Sequence, residues 1–130
     1  MRSEVRSDSN LFRALSRALL EQGIGVRFRA QGRSMFPAIA DGDVVEVHPP
    51  TNQEVGDVIL IEGTDGIRAH RIVAANDERV VTQGDSCLES DIPSANDSIV
   101  GHVAAVVTET GTRAPHTLRT RLRRILSRLR

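Results

Sequence analysis

From Gly25 onward, apolar and polar residues alternate one by one. Val26, Phe28 and Ala30 point one way, and Arg27, Arg29 and Gln31 the other, the period of a strand with one face covered. Further short strands follow at Val44–Val47, Val58–Ile61, Ile67–Val73, Arg79–Thr82 and Ile99–Val107. Turn chemistry separates them: Asp41-Gly42-Asp43, Pro49-Pro50, Gly63-Thr64-Asp65-Gly66, Asn76-Asp77 and Pro93. Many short strands divided by such turns predict a mainly β, antiparallel, barrel-like domain. Before them the period is helical. Leu11, Phe12, Leu15, Ala18 and Leu19 recur on one face, Ser9 or Asn10 can cap the start, and Gly23 suits the end. These signals predict a helix over 10–22 whose apolar stripe packs on the body. After Gly111 and Pro115 the helical period returns: Leu118, Leu122, Ile125, Leu126 and Leu129 share a face, and arginines take the other. Residues 1–9 read as a disordered N-terminus, 10–110 as one β domain with its leading helix, and 111–130 as a basic amphipathic helix.

Composition fits this picture. A chain of 130 residues suits one domain, and a core with no Trp, no Tyr and only three Phe must be built from aliphatic side chains. Charge adds a division that the net value of zero conceals. Residues 113–130 hold seven Arg and no acid, so a tail of +7 faces a body of −7. Such a tail docks on its own acidic body or on an anionic membrane surface. No run approaches the roughly 18 apolar residues of a membrane span, and no cleavable export signal is visible at the start. The expectation is a cytoplasmic chain, at most peripheral on the inner membrane face, with no nucleic-acid partner. A lone Cys87 permits no internal disulfide. The spacing of His48, His70, His102 and His116 fits no metal site, and no cofactor is expected. His48 reads as a surface turn residue, His102 as a structural strand residue, His116 as part of the linker to the tail, and Cys87 as a small loop filler.

Candidate chemistry concentrates on Gly32-Arg33-Ser34-Met35-Phe36-Pro37. A serine hydroxyl needs a base, and this chain contains no lysine; all 17 cationic residues are arginine. His70 is the available base, because imidazole takes and returns protons near neutral pH. Six segments in order carry a family resemblance over residues 25–107. They are Gly32-x-Ser34-Met35-x-Pro37, Gly42-Asp43, Val55-Gly56-Asp57-Val58, His70-Arg71-Ile72-Val73, Thr82-Gln83-Gly84-Asp85 and Ile99-Val100-Gly101. The chain resembles type I signal peptidases and, more distantly, LexA-type autoproteases. In the bacterial branch a lysine stands where this chain has His70; the archaeal and endoplasmic-reticulum branch has histidine there.

The resemblance implies a signal peptidase-like β domain and a serine endopeptidase with Ser34 as nucleophile and His70 as general base. It implies an extended leader or signal peptide as substrate, cut after small residues. Of the aspartate pair in the eukaryotic-type pattern, the second falls on Asp91 and the first position is Ser90, which leaves Asp91 to orient the imidazole. Asp85, Gly32 and Met35 take supporting places. The Ser34 N–H would hold the oxyanion. Where some relatives carry a second, hydroxyl donor, this chain has Gly32, and Arg33 is one conceivable replacement. Two alternatives stand beside this reading: a peptide-binding module of the same fold that does not cut, and a LexA-like autoprotease. No helix-turn-helix precedes the β domain to support the latter.

Overall fold

The computed structural model of the chain describes residues 3–5, 9–64, 66–116, 122, 125, 126, 128 and 129, with side chains from residue 14 onward except Leu15. Helix α1 runs from Ser9 to Glu21, within one residue of the expected bounds at each end. It stops where glycine permits a left-handed turn. Gly23 has φ +80°, its N–H donates to the Leu20 carbonyl at 3.0 Å, and the Ile24 N–H donates to Leu19 at 2.9 Å. This pair of bonds satisfies carbonyls that the helix end would otherwise leave open.

Nine strands are present among the described residues. They are β1 Ser3–Val5, β2 Val26–Arg29, β3 Val44–His48, β4 Val58–Gly63, β5 Gly66–Ala75, β6 Arg79–Gln83, β7 Ser94–Ala95, β8 Ile99–Thr108 and β9 Gly111–Arg113. Their order is β1-β2-β3-β8-β4-β5-β6-β7, with β9 on β8. Two expectations are corrected here. The sheet follows an open path rather than closing into a barrel, and β1 joins β2 in parallel although every other pairing is antiparallel. The N-terminal segment contains a strand because the β2 edge offers unpaired backbone groups that a short extended segment can satisfy. Gly111–Arg113, placed at the start of the tail helix by sequence, instead extends the sheet along β8.

Strand β4 is buried on both faces and divides two cores. Val58 and Leu60 face a larger cluster containing Leu20, Phe28, Met35, Val45 and Val103; Ile59 and Ile61 face a smaller one with Ile72 and Val80. Helix α1 covers the larger core through Leu20, which rests on Gly101. A Cβ at 101 would lie 3.2 Å from Leu20 Cδ1 and 2.5 Å from Val47 Cγ1. Arg17 fastens the same helix to β4 through Glu62 at 2.8 Å.

Strand β5 changes partner along its length. Gly66–Arg71 pair with β4, whereas pairing with β6 begins only at Arg71. Ile67 to His70 therefore keep one edge without a strand among the described residues.

The tail helix lies largely outside the described residues, Leu118 included. Of its apolar stripe, Leu122, Ile125, Leu126 and Leu129 are all more than half exposed. Arg128 pairs with Glu54 at 2.8 Å, one contact between the basic tail and the acidic body. No helix among the described residues is long and apolar enough to cross a membrane.

Candidate active site

Ser34 stands on the loop from β2 to β3, which is held closed by its own backbone. Ala30 donates to the Asp43 carbonyl at 2.7 Å, Gly42 to Ala30 at 2.9 Å, and Ala40 to the Asp43 carboxylate at 2.8 Å. Met35, Ala38 and Ile39 anchor the loop in the core. Gly32 adopts φ +87°, and its N–H is spent on Asp41 Oδ1 at 2.8 Å. The glycine is thus needed for backbone conformation, and its N–H cannot serve as an oxyanion donor. By contrast, the N–H groups of Ser34 and Met35 donate to no described residue. They are the available pair for an oxyanion. Arg33, the candidate second donor in the sequence, is exposed.

The loop that follows β6 supports the same serine from the other side. Ser86 N–H donates to the Ser34 carbonyl at 2.9 Å, and Gly84 packs directly on Ser34. This loop also supplies Asp91, whose N–H returns to the Thr82 carbonyl at 2.8 Å.

His70, on β5, connects the two loops. Its Nε2 lies 3.2 Å from Ser34 Oγ, and its Nδ1 lies 2.6 Å from Asp91 Oδ2. Thr82, buried on β6, donates its hydroxyl to the same oxygen at 2.7 Å. Arg68 Nε stands 3.5 Å from it. Burial raises the Asp91 carboxyl pKa, but hydrogen bonds from His70 and Thr82, with the nearby charges of His70 and Arg68, outweigh burial and hold it below the ordinary carboxylate range. Asp91 is therefore ionised at neutral pH and accepts from Nδ1–H. That leaves Nε2 with its lone pair toward Ser34, the tautomer a general base requires.

Asp85 does something different. It forms a two-pronged pair with the buried Arg71, at 2.8 Å from both Nε and Nη2. Arg71 also donates to the carbonyls of Gly56 and Pro115 at 2.8 Å each, and to His116 Nδ1 at 2.9 Å. Asp85 thus supports the site through the residue next to His70, and Arg71 fixes three segments at once. His116, read from sequence as a linker residue, belongs to this knot. His48 is not a turn residue: it closes β3, where its Nε2 meets buried Glu46 at 3.1 Å. His102 sits in β8, opposite His48 and Ile59. Ser90 is exposed and contributes nothing to the triad.

Beside Ser34 opens a cavity of about 240 Å³, lined mainly by Phe28, Met35, Ile39, Val45, Leu60 and Ile67, with Arg68 and Gly32 on its wall. Met35 thus serves both as anchor and as cavity wall. Sequence reasoning missed Thr82 and Arg68. Arg68 was accessible from periodicity, since a residue two before His70 on a strand shares its face; Thr82 was not, because its partner comes from a loop. Compared with protein-family models and with curated proteins, the chain matches none.

Proposed function

We propose that the chain is a signal peptidase-like serine endopeptidase that cuts an extended leader or signal peptide after small residues. The observation that carries this reading is the continuous series Ser34 Oγ, His70 Nε2, His70 Nδ1 and Asp91 Oδ2 beside an apolar cavity. The unpaired edge of Ile67 to His70 suits a peptide added as a strand. The mainly apolar lining of the cavity suits apolar side chains of such a peptide.

In this mechanism Ser34 Oγ attacks the scissile carbonyl carbon as its proton passes to His70 Nε2. Asp91 stabilises the imidazolium, and the N–H groups of Ser34 and Met35 receive the oxyanion. Collapse breaks the C–N bond, and the amine leaves with the proton from Nε2. A water then attacks the ester, again through His70, and frees Ser34.

The test is acylation by a serine-reactive penem or fluorophosphonate, read by intact mass, together with processing of a co-expressed leader peptide. Wild type should gain one adduct on Ser34 and process the leader; Ser34→Ala and His70→Ala should do neither. Leader cleavage that survives Ser34→Ala would overturn the assignment.

A further inference from the structure

We propose that Arg68 is a specificity-determining residue that selects an acidic side chain between the two small residues of the substrate. This inference rests on the peptidase reading above. It follows from three features that the triad does not use.

The first is an unsatisfied donor. Arg68 Nε is buried without a hydrogen-bond partner, and the one ion pair of its guanidinium to a described residue is the long contact to Asp91. Asp91 is the nearest anion, but its Oδ2 is already taken by His70 and Thr82, so Arg68 remains at 3.5 Å. The side chain is nevertheless about one-third exposed, and its Nη groups, which are not buried, are donors that a ligand can satisfy. The guanidinium lies over Gly63, where a Cβ would come within 2.9 Å of Nη1. Glycine at 63 keeps that space open for it.

The second is position. Arg68 is on the wall of the cavity beside Ser34 and on the same strand edge that has no partner.

The third is the direction of side chains. In the β4–β5 ladder, Ala69 pairs with Leu60, whereas Arg68 pairs with Ile61 and His70 with Ile59. Paired residues share a face. Ile67 and Ala69 therefore face the larger core, and Arg68 and His70 point to the other face of the strand, with Ile67, Arg68 and Ala69 all bordering the cavity. A peptide strand laid along this edge alternates in the same way. Its side chains one and three residues before the cut enter the apolar cavity. The side chain between them emerges on the Arg68 face. A carboxylate there would accept from the Nη groups of the guanidinium fork, a charge-assisted contact that lysine at the same place would oppose.

The experiment uses three internally quenched peptides that differ only at this middle position: Ala-Glu-Ala, Ala-Gln-Ala and Ala-Lys-Ala before the cut. Wild type should prefer Glu over Lys by about tenfold or more in kcat/KM, and the preference should shrink with added salt. Arg68→Gln should bring the kcat/KM ratios among the three peptides to about one, whatever its effect on the absolute rate, and Arg68→Glu should invert the preference. Equal loss on all three peptides in Arg68→Gln would show that Arg68 acts on the peptide backbone or through Asp91, and would overturn the inference. So would a wild type indifferent to the middle residue. Cleavage of none of the three refutes it as well; acylation of Ser34 in the same preparation then tells whether the peptidase reading survives.

Discussion

Gly84 offers a test of the proposed site that removes none of its side chains. Its φ is not in the left-handed region, so the backbone itself accepts alanine. The obstacle is space. A methyl group there would stand 2.6 Å from the Ser34 carbonyl oxygen, 2.7 Å from Cys87 Sγ and 3.1 Å from Ser34 Cβ. Ordinary contact begins near 3.4 Å, so the serine loop and the loop after β6 must part by about 0.8 Å. The Cys87 side chain is exposed and can swing aside; the Ser34 backbone is held by Ser86 and by Met35 in the core and cannot move freely. Ser34 Oγ begins 3.2 Å from His70 Nε2, at the long end of a hydrogen bond, so displacement of this size breaks the contact. Gly84→Ala should lower the acylation rate of Ser34 about 100-fold, the usual cost of misplacing a reacting group by about 1 Å. Stability should fall by only about 1–3 kcal/mol, as for other overpacked sites. Penem acylation followed by mass, with urea unfolding in parallel, reads both quantities. A folded variant acylated at the wild-type rate would refute the packing argument.

Other substitutions separate the roles of the neighbouring groups. Asp91→Asn keeps shape but reverses the donor at His70 Nδ1, so acylation should fall by about 10³–10⁴-fold with the fold retained by circular dichroism. Asp85→Asn leaves buried Arg71 half paired and should cost about 3–5 kcal/mol in denaturant unfolding, far more than Asp91→Asn. Thr82→Val removes one donor from Asp91 and should cost about 1 kcal/mol at neutral pH. The sign of its pH dependence follows from the lowered Asp91 pKa. Stabilisation of an ionised carboxylate is complete above its unfolded value, about 3.9, and is lost as pH falls through the lower folded value. The gap between wild type and Thr82→Val should therefore hold from pH 7 to about pH 5 and close in stronger acid; a gap independent of pH would mean that Thr82 acts by packing alone.

The local elements were legible because their signals are local. Alternation placed β2, short runs divided by turn residues placed β3 through β6 and β8, and a helical period with Gly23 placed α1. The proposal of His70 as base also rests on sequence, since no lysine exists to compete with it. What periodicity could not supply was pairing between distant segments. β1 and β9 are three residues each and carry no period worth reading; they form because β2 and β8 offer open edges. The open sheet path likewise depends on which edges meet, a property of the assembled strands.

The same division runs through the site. Sequence by itself determined that Ser34, His70 and Asp91 were the residue types able to make a triad, and in which segments each lay. Tertiary structure alone decided that their atoms stand 3.2 Å and 2.6 Å apart, since those segments lie 36 and 21 residues from each other along the chain. It also decided that the glycine before the serine spends its N–H on Asp41, that Thr82 steadies Asp91, and that Asp85 belongs to Arg71. Hydrogen-bond partners are fixed by distances within an ångström, whereas sequence patterns specify only faces and order.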